Sequence, residues 1–175
     1  YVLENKFTNV NLGNEQMAAV SSIAGYTQEQ FEKLQEIYEY SKRRVKSSIP
    51  HIEERTDDYT YETLRLDDPL GLAIGTLTDC CQEIDDAAEV CMEHSMTSSD
   101  GRIFVIKDKE NNIVAQSWVW RNQNVLCFDN IEIPHKAFER ASQKKINLTQ
   151  VVYDIYKQAA NILLEKDKRN RMLGQ

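Results

Sequence analysis

The sequence has no long hydrophobic run and no framework of paired cysteines. No apolar segment approaches the ~20 residues that a membrane-spanning helix needs, and no signal peptide is visible. The four cysteines include an adjacent pair, Cys80 and Cys81, rather than the spaced set that is typical of secreted disulfide-rich domains. We therefore predict a cytoplasmic protein with reduced cysteines and no membrane segment.

The sequence also lacks the common catalytic and nucleotide-binding motifs. GxGxxG, Walker, HExxH and nucleophile-elbow patterns are all absent. The formal charge of −7 argues against a surface that attracts nucleic acid, so no nucleic-acid partner is expected. A length of 175 residues and a hydrophobic content of 41% predict one globular domain over residues 1–175. The chain begins with Tyr1 rather than Met, so we expect a fragment or a processed product.

Three β-rich runs within residues 101–134 are the clearest structural signal, and they predict a three-stranded antiparallel meander. The predicted strands are 103–107, 113–121 and 125–133. A three-residue turn over 122–124 would place Arg121 opposite Val125. With that register, Trp118 would lie opposite Phe128 and Gln116 opposite Asn130.

Two carboxylates lie within the third predicted strand, Asp129 and Glu132. A buried carboxylate without a partner is costly. These residues are therefore either hydrogen-bonded in the core or lining a cleft. A one-residue slip in register would move each of them to the other face of the sheet.

Helices are predicted on both sides of the meander, which gives an α/β (α+β) fold class. Thr27 and Gln30 form a capping-box pattern for a helix within an N-terminal helical segment, residues 1–50. A shorter helix is expected within 15–23, and the basic cluster 42–46 is either an anion-binding patch or an ordinary charged helix end. Thr78 is the predicted N-cap of a helix that ends near Ser95. A strand over 59–66 precedes it, and the last helix begins near Asn147 or Thr149.

Cys80, Cys81, Cys91 and His94 suggest a zinc site or a nucleophilic thiol. On one continuous helix, Cys80 and Cys91 would lie ~16 Å apart, too far for one zinc ion with Zn–S bonds of ~2.3 Å. No metal site is therefore predicted. A thiol hydrolase that uses Cys80 or Cys81, with His94 or another histidine as base, stays open as a hypothesis.

The order strand, helix, meander, basic loop, helix resembles the N-terminal part of GNAT-type acyl-CoA N-acyltransferases. The resemblance covers about residues 59–168, and the segment NNIVAQSWVWRNQNVLCFDNIEIP is its most similar part. It implies a GNAT-like core with acetyl-CoA or another acyl-CoA as donor and an amine, on a small molecule or a protein, as acceptor. It also implies Asp129 or Glu132 as general base. The acceptor cleft would be lined by Gln116, Trp118, Phe128 and Asn130.

The sequence departs from that family where the cofactor pyrophosphate is bound. The family has a glycine-rich loop there, but residues 133–149 contain no glycine. Arg140, Lys144 and Lys145 would supply charge to the cofactor instead. The family's later strands are missing after Gln175, so the core is expected to be incomplete at its C-terminus.

A second hypothesis is a non-catalytic module on the same scaffold that binds a protein partner. It would use exposed aromatic residues or an acidic surface. The acidic residues are Glu53, Glu54, Asp57, Asp58, Asp67 and Asp68.

Overall fold

A computed structural model of the chain describes residues 25–43 and 46–173. The short helix expected within 15–23 lies outside the described residues, as do two positions of the basic cluster 42–46. The described residues form five α-helices and one five-stranded antiparallel sheet. The predicted α+β class is therefore confirmed, but the sheet has five strands rather than three.

The strands pair in chain order, β1-β2-β3-β4-β5, so each strand lies beside its neighbour in sequence. Their bounds are β1 Glu53–Arg55, β2 Tyr59–Thr63, β3 Gly101–Asp108, β4 Ile113–Asn122 and β5 Val125–Phe128. The helices are α1 Gln28–Lys42, α2 Leu70–Thr78, α3 Glu89–Thr97, α4 His135–Gln143 and α5 Leu148–Met172. None of the described helices combines the length and the apolar character needed to cross a membrane.

The predicted capping box of the first helix is confirmed, and the last helix begins at Leu148, within the predicted range, with Asn147 as its cap. At α1, the Gln30 N–H donates to the Thr27 hydroxyl at 3.2 Å, and the Thr27 N–H donates to the Gln30 side chain at 3.0 Å. At α5, the Gln150 N–H donates to the Asn147 side chain at 3.2 Å. Each cap satisfies N–H groups that the helix itself leaves unpaired.

The predicted helix from Thr78 to Ser95 is wrong, because Thr78 ends a helix instead of starting one. Asp79 adopts a left-handed backbone with φ of 53°, and the Cys80 N–H donates back to the Gly75 carbonyl. Turns follow until α3 begins at Glu89. The chain reverses at Asp79, and the backbone near Glu83 then packs on Gly75, where an added Cβ would lie 2.2 Å from the Glu83 nitrogen. This close approach requires a glycine within α2.

The predicted register of the last hairpin is also wrong. The β4–β5 turn contains two residues, Gln123 and Asn124, and Arg121 lies opposite Leu126. Gln123 has a φ of 53°, as the primed turns of two-residue hairpins require. The shift by one residue turns Phe128 to the face opposite to the predicted one.

The two faces of the sheet are covered by different helices. Helices α4 and α5 cover one face, where Phe104 is fully buried. Helices α2 and α3 cover the other face, where they contact Ile103 and Val105. Helix α1 packs outside α3 through Leu34 and Ile37. Both faces of the central strands are thus buried.

Candidate functional site

The β4–β5 ladder is interrupted by a bulge. β5 pairs with β4 as far as Phe128, which lies opposite Val119. Gln116 and Glu132 then form a bridge in which their backbone groups exchange two hydrogen bonds of 2.9 Å. An uninterrupted register would place Ile131, not Glu132, opposite Gln116. The segment after Phe128 therefore carries one extra residue, which is the definition of a β-bulge.

The bulge brings the two predicted catalytic carboxylates to one face of the sheet. The Asp129 N–H donates to the Trp118 carbonyl at 2.9 Å, so Asp129 lies opposite Trp118, while Glu132 lies opposite Gln116. Residues directly opposite each other share a face. In a regular strand, Asp129 and Glu132 would point to opposite faces because they are three residues apart. Here both belong to the face that carries Gln116 and Trp118.

Gln116 is the centre of a buried polar cluster on this face. Its side chain is fully buried, and its amide nitrogen lies 3.3 Å from the Gln82 side-chain oxygen and 3.4 Å from the Cys80 sulfur. The Gln82 amide nitrogen in turn lies 3.5 Å from an Asp129 carboxylate oxygen. We call these residues, together with Glu132, the Gln116 cluster. Gln116 Oε1 is buried without a hydrogen-bond partner, which is costly in a closed core and common at sites that bind a ligand or water.

The turns between α2 and α3 supply two members of the cluster, Cys80 and Gln82. Both are buried against the sheet, because the chain reverses at Asp79 and the following turns pack on α2. The sequence did not single out Gln82. The helical pattern predicted over 78–95 gave no indication that this polar residue faces inward, and nothing else in the local sequence indicates it.

The cluster does not activate the Cys80 thiol. Burial raises the pKa of Cys80, a hydrogen bond with Thr78 lowers it in part, and the negative charge of Glu132 raises it further. Burial and then the charge of Asp129 also raise the pKa of Cys91. A nucleophilic thiol needs the opposite shift.

The interrupted helix also removes the distance argument against zinc, because Cys80 and Cys91 do not lie on one continuous helix. Within the described part of the chain, no three of Cys80, Cys81, Cys91 and His94 bring ligand atoms within 4.8 Å of one another. All four cysteines are free thiols.

The remaining acceptor-site residues are divided between the two faces. Trp118 is half-buried beside the cluster, where its indole N–H donates to His94 Nδ1 at 3.2 Å and its ring stacks on Trp120. Phe128 lies on the other face and packs edge-on against Phe104 and Tyr156. Phe128 is therefore part of the core under α5, and the corrected register is the reason.

Asn130 lies in the bulge. Its side chain is exposed, and its carbonyl accepts a hydrogen bond from the Ser117 hydroxyl at 3.0 Å. This bond satisfies a backbone group that the bulge removes from the ladder.

The predicted cofactor residues lie at a different place in the fold. Arg140 donates to the Ile113 carbonyl at 3.2 Å, and Ile113 precedes Gln116 by three residues, or about 10 Å along the strand. Arg140 pairs with Asp108, and Lys144 with Glu110 at 3.8 Å. Helix α4 carries Arg140 on the face opposite to the Gln116 cluster.

These basic residues line a small pocket. Its volume is about 130 Å³, well below the ~300–1,000 Å³ of typical ligand sites. Lys145 is exposed in the turn that separates α4 from α5, with a left-handed φ of 56°. The structure thus brings Asp129, Glu132, Gln116 and Trp118 together, and it places Arg140 and Lys144 elsewhere.

Comparisons of the chain with protein-family models, with curated proteins and with solved structures found no match. The resemblance to GNAT-type acyltransferases therefore stays a prediction, and the geometry of the Gln116 cluster is the basis for a functional proposal.

Proposed function

We propose that this chain is a GNAT-like N-acyltransferase that moves an acyl group from an acyl-CoA, such as acetyl-CoA, to an amine. The observation that supports the proposal is the bulge after Phe128, which gathers Asp129 and Glu132 beside Gln116 on one face. Bulges are frequent next to active sites, where they redirect a side chain.

The two carboxylates supply the base that the reaction needs. An acceptor amine is protonated at neutral pH, and it must lose a proton before its lone pair attacks the thioester carbonyl. Asp129 or Glu132 would take that proton directly or through water. A C–N bond then forms and the C–S bond breaks. The attacking nitrogen loses its second proton as the amide forms, and the departing CoA thiolate takes that proton, directly or through water. The half-buried Trp118 would contact the acceptor beside these carboxylates.

One observation favours a second candidate, a non-catalytic module that binds a protein partner. Arg140 and Lys144 are already paired with Asp108 and Glu110, so a cofactor pyrophosphate would have to displace these carboxylates. The partner could contact exposed aromatic residues such as Tyr153, which is 59% exposed. The third hypothesis is a thiol hydrolase. Of the three hypotheses it has the least support where Cys80 is the nucleophile, because burial raises the pKa of that thiol.

The test has a binding step and a turnover step. The melting temperature is measured with and without millimolar acetyl-CoA. A ligand at 100-fold over its Kd adds ~2.7 kcal/mol, which is a shift of several degrees for a domain of this size. Turnover is then followed with a panel of primary amines by mass spectrometry of the acylated product, because thiol reagents would also detect the four cysteines.

We expect Glu132→Gln or Asp129→Asn to lower kcat by about 100-fold or more, as removal of a general base does. Asp154→Asn, at an exposed position on α5, is the matched control and should leave kcat unchanged. The absence of a thermal shift at millimolar acetyl-CoA would overturn the transferase proposal and leave the binding module as the leading candidate.

A further inference from the structure

The outer hairpin of the sheet, β1–β2, carries a histidine and two glutamates on one face. Glu53 lies directly opposite Glu62, and His51 precedes Glu53 by two residues. Both relations place side chains on the same face of a strand pair. One ring nitrogen of His51 and one carboxylate oxygen of each glutamate all lie within 4.8 Å of one another.

The His51 ring is oriented by a hydrogen bond to the backbone. Its Nδ1 lies 2.5 Å from the Thr63 carbonyl oxygen. A carbonyl oxygen only accepts, so Nδ1 is the donor, and in the neutral ring Nε2 is then the nitrogen with a lone pair for a metal ion. Metal-binding histidines characteristically donate their second ring N–H in this way, which fixes the tautomer and the ring orientation.

Thr63 is itself held rigidly, so the support for His51 is part of the core. Its side chain is fully buried, accepts from the Ile52 N–H at 2.9 Å, and donates to the Pro50 carbonyl at 3.0 Å. The residues that flank His51 are therefore tied to the end of β2. The imidazole is presented from a fixed backbone rather than from a free loop.

We propose that His51, Glu53 and Glu62 bind one divalent first-row transition-metal ion. Metal–ligand bonds of ~2.0–2.2 Å place neighbouring ligand atoms ~3–3.5 Å apart, so small rotations of the exposed Glu53 and the half-buried Glu62 side chains would close the site. An imidazole with two carboxylates and no thiolate suits Mn²⁺ or Zn²⁺ better than a soft ion. Water would fill the remaining positions, because His51 and Glu53 are exposed.

The two glutamates supply the negative charge that a cation needs, and two lysines lie beside the three ligands. Lys107 contacts Glu62 at 2.7 Å, and Lys166 donates to the His51 carbonyl at 3.3 Å. A bound ion would share Glu62 with Lys107, whose side chain is largely buried.

The test is a titration with Mn²⁺ that is followed by the electron paramagnetic resonance signal of the free ion. Mn²⁺ is chosen because it prefers oxygen and nitrogen over thiolate ligands, so the four cysteines do not contribute. We expect saturable binding of one ion per chain. His51→Ala and Glu62→Gln should each weaken the affinity by about tenfold or more, at least as much as the loss of an outer-shell partner does.

The matched control is Glu54→Gln, which removes the same charge from the neighbouring residue of β1. Glu54 lies opposite Tyr61 and so points to the other face of the hairpin. Its variant should bind Mn²⁺ as the unmodified chain does. If Glu62→Gln fails to fold, as judged by circular dichroism, Glu53→Gln at an exposed position replaces it. Equal affinity in all variants, or no saturable binding at millimolar Mn²⁺, would overturn the proposal.

Discussion

Asp68, just before α2, should make the stability of the fold depend on pH. Its carboxylate accepts a hydrogen bond from the Leu70 N–H at 2.9 Å. Burial raises the pKa of Asp68 from 3.8 to about 6, although the Leu70 hydrogen bond and the charge of Lys107 lower it. The charges of Glu62 and Asp67 raise it further. The folded state therefore disfavours the ionised carboxylate.

The sign of the pH effect follows from proton linkage. Because the folded state holds this proton more tightly than the unfolded state, the free energy of unfolding falls as pH rises from about 4 to about 6. The rise in the pKa of Asp68 from 3.8 to about 6 corresponds to a loss of about 3 kcal/mol in the free energy of unfolding. Asp68→Asn cannot ionise and keeps an acceptor for the Leu70 N–H. Relative to the unmodified chain, this variant should therefore gain about 3 kcal/mol between pH 4 and pH 7.5.

The measurement is urea unfolding at pH 4, 5, 6 and 7.5, followed by the fluorescence of Trp118 and Trp120, the two tryptophans of the chain. Asp154→Asn, at an exposed site on α5, is the control and should track the unmodified protein at every pH. A difference between Asp68→Asn and the unmodified chain that does not change with pH would refute the reasoning. So would a variant that is less stable at pH 7.5, because the ionised carboxylate would then stabilise the fold.

Two further predictions concern buried contacts. Asp167 is buried and pairs with both Arg121 and Arg171. Asp167→Ala should therefore lower the free energy of unfolding, measured with urea, by about 3–5 kcal/mol. A loss below about 1 kcal/mol would contradict this, because it is what an exposed ion pair contributes. Gly75→Ala would put a Cβ 2.2 Å from the backbone of the turn after α2, whereas Gly71→Ala would meet a flexible methionine side chain. Gly75→Ala should therefore lower the free energy of unfolding by about 1–3 kcal/mol. It should also lower the melting temperature more than Gly71→Ala does, and an equal decrease in the two variants would contradict the close approach at Gly75.

The features that the sequence predicted correctly are those that local residues decide. Thr27 and Gln30 form a capping box through contacts within four residues. The last helix begins at Leu148, between the two predicted start positions, where the Asn147 side chain accepts from the Gln150 N–H. The α+β class depends on runs of alternating and helical periodicity, which are also local patterns. Such features need no knowledge of what packs against them.

The break between α2 and α3 could not be predicted in this way. Residues 76–100 contain neither glycine nor proline, so the local sequence carries no strong signal to end a helix at Thr78. After the helix ends, the backbone near Glu83 packs on Gly75, an approach that only a residue without Cβ permits. That contact joins segments eight residues apart, and only the folded chain shows it.

The last hairpin was mispredicted for a related reason. Its two-residue turn contains Gln123 in a left-handed conformation, without the Asn-Gly or Asp-Gly sequence that normally announces such a turn. The longer turn that was predicted shifts the register by one residue, and it puts Phe128 beside Trp118 instead of in the core under α5. In the observed register Phe128 packs against Phe104, a tertiary contact that the local sequence does not reveal.

The two departures from local expectation meet at the Gln116 cluster, and this is an argument for function there. The interrupted helix supplies Cys80 and Gln82, and the bulge supplies Asp129 and Glu132. A fold that only needed a stable core would gain from a continuous helix, an unbroken ladder and an apolar residue in place of Gln116, whose side-chain oxygen is unsatisfied. Natural proteins break such rules mainly where a site requires it. The interrupted helix, the bulge and the unsatisfied Gln116 oxygen, each costly to stability, all lie around two carboxylates. We therefore expect the chemistry of this protein to depend on Asp129 and Glu132.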